Sequence, residues 1–169
     1  MAVVLTELDE DHIRAGGEYL RALRTLGLDP AALFWAQDQT VGGHVLVLVT
    51  AMFDFAGPLV LSQTLFKAYE TSATPREIDP FIIRLHSPRQ AIIRELAVLI
   101  GKRNPWMTVL EAQSAGDLGI GVEAQYNQSD LAVRPEWIYT FDLGSDVRQR
   151  APIDKRWDRY LRNVGRLAA

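Results

Sequence analysis

The apolar run from His44 to Phe55 constrains the fold of this chain more than any other stretch. Valine and phenylalanine at the odd positions share one face, while Leu46, Leu48 and Met52 fill the other. A strand that is apolar on both faces is covered on both faces, so the run predicts the central strand of a sheet between two layers. The run is too short to cross a bilayer as a helix, which needs about 20 apolar residues.

Composition narrows the class of protein. The chain has 169 residues, of which 48% are hydrophobic, and this is enough to bury the core of one domain. It contains no cysteine, which excludes a disulfide scaffold, a thiol nucleophile and the cysteine-rich zinc sites. The first residues are acidic and include no long apolar region, so no signal peptide is expected. We therefore expect a cytoplasmic protein.

Charge is distributed unevenly along the chain. From Arg148 to the end, seven basic residues stand against two acids, a net charge of +5. The rest of the chain carries 11 basic residues and 19 acids, or −8, which together give the overall −3. The C-terminal segment is therefore a separate electrostatic unit.

Capping residues and hydrophobic periodicity predict the other elements. Thr6 or Asp9 can cap a first helix that runs to about Leu26. A glycine pair inside this helix, at 16 and 17, costs about 1 kcal/mol per glycine relative to alanine, which indicates a kink or the close approach of another backbone. Further strands are predicted at 33–38, 81–86, 106–111, 118–126 and 136–142. Further helices are predicted at 58–71, briefly at 74–77, from Ser87 to Gly101, and at about 153–167.

This order of elements predicts the fold class. The 33–38 strand and the central strand read as a hairpin, and the last three strands read as an antiparallel meander. The strand, helix, strand units around 81–86 normally join parallel strands. We predict a single α+β domain over residues 1–169, with a mixed, mostly antiparallel sheet of about six strands and about four main helices packed on it.

One candidate site lies where the central strand and the 81–86 strand end. If the two strands are parallel, Asp54 lies beside Arg84, His86, Ser87 and Arg89 at the edge where open α/β sheets usually bind ligands. The basic side chains and the start of the next helix could hold a phosphate or carboxylate, and Asp54 could orient His86 as a general base. The alternative is that Ser87 only caps the helix, the arginines pair with surface acids, and the histidine is solvated. If Asp54 lies on the buried sheet, its loss should cost a few kcal/mol.

The sequence predicts neither a metal site nor a cofactor. The histidines at 12, 44 and 86 have no histidine partner at a ligand spacing, and no carboxylate-rich loop resembles a calcium or magnesium site. Gly116, Gly119 and Gly121 lack the Gly-Lys-Ser/Thr ending and the strand-turn-helix context of a phosphate-binding loop.

A second candidate site is the C-terminal helix. Arg156, Arg159, Arg162 and Arg166 can project from its apolar stripe and form a basic amphipathic surface of the kind that meets acidic partners, membrane surfaces or nucleic acid. Alternatively, these arginines offset the acids of the protein itself. The overall acidity, with a pI of about 5.6, argues against nucleic acid as the partner.

Two functions remain open on the sequence alone. The first is a non-catalytic cytoplasmic binding, regulatory or assembly module, with self-association through a strand edge or through an aromatic face of Trp137, Tyr139 and Phe141. The second is a small enzyme or ligand sensor that binds an anionic metabolite at the residues around Asp54 and His86.

Overall fold

The computed structural model describes residues 5–101, 126–128, 130–144 and 148–167. Helices with described bounds are α1 (Glu10–Leu26), α2 (Met52–Ala56), α3 (Pro58–Glu70), α4 (Ala91–Gly101) and α5 (Ile153–Leu167). The strands in this part are β1 (Ala32–Asp38), β2 (Gly43–Val49), β3 (Ile83–His86), β4 (Tyr126–Gln128), β5 (Leu131–Val133) and β6 (Ile138–Phe141). Short 3-10 helices at Pro80–Ile82 and Pro135–Trp137 precede β3 and β6.

The strands form one mixed sheet in the order β3, β2, β1, β5, β4, with β6 also paired to β1. β1 lies at the centre: one edge pairs with β2, and the other edge pairs with both β5 and β6. β2 and β3 are parallel, whereas the other described pairings are antiparallel. The predicted α+β class with a mixed, mostly antiparallel sheet is thus confirmed, although β2 lies next to the central strand.

Both faces of the sheet are covered, as the apolar run predicted. On one face, Leu46 and Leu48 belong to a cluster that includes buried residues of α1, α3 and α5. On the other face, Val45, Val47 and Val49 pack in a second cluster with residues of α4. These buried residues would each contribute about 1.5–3 kcal/mol relative to exposure, so β1 and β2 anchor the domain.

Hydrogen bonds and backbone angles confirm the predicted start and end of α1 and the predicted hairpin. Asp9 is the N-cap of α1, and its carboxylate accepts from the His12 backbone N–H at 2.8 Å. Gly27 ends that helix with φ +97°, and its N–H donates to the carbonyl of Arg24. The hairpin between β1 and β2 turns at Asp38, which accepts two backbone N–H groups, and at Gly42, with φ +75°.

The predicted central strand is too long at its C-terminal end. β2 ends at Val49, and residues 52–56, which include Asp54, form the short helix α2. The Thr50 side-chain oxygen accepts from the Met52 N–H at 3.2 Å, and the Thr50 carbonyl accepts from the Phe53 N–H. A threonine that satisfies the first free N–H groups favours a helical turn, which overrides the apolar alternation.

The predicted aromatic face on the last strand is also wrong. Trp137 and Tyr139 pack on the α1 side of the sheet, whereas Phe141 packs on the α4 side, 5.8 Å from the Phe34 ring. The register between β6 and β1 shifts by one residue opposite Phe34, and such a bulge reverses the alternation of side chains. With Trp137 only 2% exposed, these rings form no shared outer surface.

Other predictions have mixed outcomes. Residues 74–77 form turns and not a short helix, and the chain enters the helix α4 at Ala91 instead of at Ser87. The predicted strand 106–111 lies outside the described residues, as does the predicted strand 118–126 except for Tyr126, which begins β4. The strand β5 has no counterpart among the predicted strands. Among the described helices, none combines the length and apolarity needed to span a bilayer.

The glycine pair in α1 has a packing explanation at its first member. A Cβ on Gly16 would lie 2.2 Å from the Tyr139 hydroxyl oxygen, whereas a Cβ on Gly17 would lie 3.7 Å from the same ring. The Tyr139 hydroxyl donates to the Ile13 carbonyl and accepts from Trp35 Nε1 at 3.0 Å. The group that approaches the helix closely at Gly16 is therefore the Tyr139 side chain, and not another stretch of backbone as predicted.

Candidate functional site

The parallel pairing of β2 and β3 brings part of the predicted strand-end site together. Ser87 follows β3 directly, and its hydroxyl donates to a carboxylate oxygen of Asp54 at 2.5 Å. The Thr50 N–H donates to the His86 carbonyl at 3.1 Å, so the two strand ends are in direct contact. Asp54 reaches this position from the exposed first turn of α2 and not from a buried strand.

The remaining strand-end residues bond to near neighbours. His86 Nδ1 lies 2.6 Å from the side-chain oxygen of Gln90, and the Arg89 backbone N–H donates to the Ser87 hydroxyl oxygen at 3.0 Å. Arg84 points away from this edge. Its guanidinium donates to the Phe81 carbonyl at 3.3 Å and lies 3.9 Å from Asp38, which ends β1 beside the start of β2.

These contacts describe a structural link between α2 and the loop before α4. Ser87 is 2% exposed, and its hydroxyl is used both as donor and as acceptor. His86 bonds to Gln90 and makes no described hydrogen bond to Asp54 or Ser87. The arrangement therefore differs from the nucleophile, base and orienting acid of a hydrolase, in which the histidine bridges the other two.

The C-terminal helix α5 has the two-sided character that its sequence predicts. Trp157, Tyr160 and Val164 are buried against the rest of the domain. Tyr160 accepts a hydrogen bond from Thr64 in α3 at 3.2 Å, and Asn163 donates to the Leu26 carbonyl at the end of α1 at 2.7 Å. α5 is thus fixed on the domain, and its opposite side is left to the solvent.

That solvent side carries a line of four cations. Lys155, Arg159, Arg162 and Arg166 follow one another at i, i+4, i+7 and i+11, which places them on one side of a helix over about 16 Å. We call this set the basic stripe. All four residues are exposed, and none makes a hydrogen bond or ion pair with the residues that the structure describes.

A surface groove adjoins the basic stripe. Its volume is about 450 Å³, and its walls are the end of α1 and the outer side of α5. The groove is lined by Thr25, Arg159, Arg162, Asn163 and Arg166. A second groove of about 300 Å³ continues from Arg159 toward Arg24 and Arg150. Three arginines and no acid are among the described residues that line this first groove, so its lining is basic although the chain as a whole is acidic.

The described acids form no ion pair with the basic stripe, although Asp158 lies one helical turn from Lys155 and from Arg162, and Asp29 lines the adjoining groove. The acidic first turn of α1 is at the other end of a 17-residue helix, about 25 Å from the groove. The Debye length at physiological salt is about 8 Å, so attraction over that distance is largely screened. Nearer acids, Asp154 and Asp158, lie on α5 itself but form no described ion pair with the stripe.

Sequence reasoning found most of this surface but misjudged its members. Arg156 is half-buried and donates to the Ala151 carbonyl at 3.0 Å, so it is set apart from the stripe. Lys155 belongs to the basic stripe but is not among the predicted residues, although its spacing from Arg159 and Arg162 is visible in the sequence. Thr25 and Asn163 carry no signal in the sequence, because they reach the groove through the contact of α1 with α5.

Among the residues that the structure describes, no three histidine or acidic groups are placed so that they could hold a metal ion. Comparison with protein-family models, with curated proteins and with solved structures gave no match. The geometry of the described residues is therefore the whole basis for a functional proposal.

Proposed function

We propose that the protein is a non-catalytic binding module whose basic stripe takes an acidic segment of a partner protein. The observation that carries the proposal is the set of four exposed cations without a partner in the described residues, on a helix that is fixed to the domain. Exposed lysine and arginine side chains usually stand apart from one another in solvent. Here four share one side of a helix, and three of them line a groove.

A short acidic segment fits this surface better than a long polyanion does. The stripe is about 16 Å long, which matches about three turns of a helix with acids at the same spacing. Nucleic acid or an anionic membrane would extend past the stripe toward the rest of the chain, whose net charge from 1 to 147 is −8. A cytoplasmic location is part of the same proposal, supported by the lack of cysteine.

The test is fluorescence anisotropy with a labelled peptide of about 16 residues that carries glutamate at the stripe spacing. The double variant Arg162→Gln/Arg166→Gln should weaken binding about fivefold, since two exposed ionic contacts of about 0.5 kcal/mol each are lost. Added salt should weaken the wild-type complex. Arg159 is kept, because its side chain lies beside Gly27 at the end of α1.

The matched control is Lys67→Gln/Arg94→Gln, which removes the same charge from exposed positions on α3 and α4. This control should bind the peptide as the wild type does. The proposal is wrong if both double variants lose affinity equally, or if duplex DNA or anionic vesicles bind more tightly than the peptide.

A further inference from the structure

A cleft of about 300 Å³ lies between the N-terminal segment and the sheet. Its lining residues are distant in sequence from the basic stripe. Its walls come from the residues before α1, the first turn of α1, β1, β2 and the 3-10 helix before β3. The lining residues are Glu7, Leu8, Asp9, His12, Trp35, His44 and Ile82. We call this the histidine cleft, since it contains two of the three histidines of the chain.

Each imidazole in the cleft is held by an acceptor. His12 Nδ1 lies 2.6 Å from a carboxylate oxygen of Asp9, whose other oxygen accepts the His12 backbone N–H. His44 Nε2 lies 3.2 Å from the carbonyl oxygen of Thr6. In the neutral rings these contacts assign the protons to His12 Nδ1 and His44 Nε2, so the other nitrogen of each ring is an acceptor without a described partner.

Aromatic contacts hold both rings in place. The His12 ring meets the Trp35 ring edge to face at 5.6 Å, and the His44 ring meets the Trp137 ring in the same way at 5.4 Å. Trp35 is fixed in turn by its hydrogen bond to Tyr139. Such a preorganised set of side chains is typical of a binding site, because little freedom is lost when a ligand enters.

The polar lining offers negative charge and acceptors. Glu7 has no partner in the described residues, and hydrogen bonds from His12 hold the pKa of the Asp9 carboxyl below its usual range. Within the described part of the chain, no lysine or arginine lines the cleft. Leu8, Ile82 and the Trp35 ring supply apolar walls. A ligand that complements this lining has N–H donors, a positive charge and an apolar body.

We propose that the histidine cleft binds a small organic cation, namely a primary ammonium on an apolar body. The ammonium lies in the negative field of Glu7 and Asp9 and donates to one or two acceptors of the cleft, and the body packs on the apolar walls. A bound metal ion fits less well, because no three candidate ligands in the described residues converge on one point. This site is independent of the basic stripe, so the two proposals fail separately.

The experiment is an NMR titration of the full chain with three probes of similar shape: 2-phenylethylamine, 2-phenylethanol and 3-phenylpropanoate. The imidazole signals of His12 and His44 report on the cleft, and His86, at the end of β3, is an internal reference. The amine should shift both cleft signals but not His86, with a dissociation constant of about 1 mM or tighter. The alcohol should bind about tenfold more weakly, and the carboxylate should not bind.

The variant is Glu7→Gln/Asp9→Asn, which removes both charges while asparagine still caps α1. It should weaken the amine about tenfold. The control Glu77→Gln/Asp158→Asn removes the same charge from exposed positions elsewhere and should have no effect. The inference is overturned if no cleft signal moves, if all three histidines move alike, if the alcohol binds as well as the amine, or if the control loses as much affinity as the variant.

Discussion

Replacing Gly16 by alanine tests the packing of Tyr139 against α1. Inside a helix this change normally stabilises by about 1 kcal/mol. Here the new methyl group would lie 2.2 Å from the Tyr139 hydroxyl oxygen and 2.5 Å from Cζ of the ring, so the ring must move. Moving it strands the Trp35 Nε1–H, which now donates to the Tyr139 hydroxyl at 3.0 Å.

The expected result follows from these opposing contributions. Overpacking costs about 1–3 kcal/mol, and a buried donor without an acceptor costs a further 1–3 kcal/mol or so. After the helix gain is subtracted, Gly16→Ala should lower the free energy of unfolding by about 1–5 kcal/mol, with a central value of about 3 kcal/mol. For a chain of this size the central value corresponds to a fall in the melting temperature of about 6–12 °C. Urea unfolding followed by tryptophan fluorescence and far-UV circular dichroism measures the change.

The neighbouring glycine provides the control. A Cβ on Gly17 would lie 3.7 Å from the same ring, an ordinary contact, so Gly17→Ala should stabilise by up to about 1 kcal/mol. In a Tyr139→Ala background, Gly16→Ala should also become stabilising, because the ring is gone. If Gly16→Ala stabilises the wild-type chain, the reasoning about Tyr139 is refuted.

Two further predictions concern buried hydroxyl groups. Burial raises the pKa of Tyr160 to about 12, against about 10 in the unfolded chain. The stability that comes from the neutral phenol is therefore fully present below about pH 10 and is lost as the pH rises through 12. From pH 9 to 12 the wild-type chain should lose about 3 kcal/mol more stability than Tyr160→Phe, in which Tyr19 and Tyr139, whose pKa values are also raised by burial, still contribute a loss. Equal slopes in both proteins would contradict the assignment. The second prediction is that Asp54→Ala removes the acceptor of the buried Ser87 hydroxyl and lowers the free energy of unfolding by about 1–2 kcal/mol. A loss below about 0.5 kcal/mol would mean that this hydrogen bond is not formed in solution.

The sequence predicts the fold well where local patterns decide it. The caps of α1, the hairpin of β1 and β2, and the two-sided β2 strand follow from single residues and from apolar periods that need no tertiary information. Prediction fails where tertiary contacts override the period. At Thr50 a side-chain hydrogen bond starts a helical turn inside an apolar alternation, and at Tyr139 a bulge exchanges the two faces of β6.

The candidate sites show the same division. The stripe on α5 is visible from spacing, because one helix holds all of its residues. The link between Asp54 and Ser87 needs the parallel pairing of two strands, which the sequence suggests but does not fix. The histidine cleft joins segments around Asp9, Trp35, His44 and Ile82, and only the spacing of Asp9 and His12 is a local signal.

The position of β1 has a consequence for synthesis of the chain on the ribosome. Its pairing with β2 can form once Val49 has emerged, but its other edge waits for β5 and β6, which begin about 80–90 residues later. At about 5–20 residues per second, that edge stays open for several seconds. An open edge next to Phe34 and Trp35 is a template for pairing with other nascent chains, so chaperone demand should be greatest during this interval.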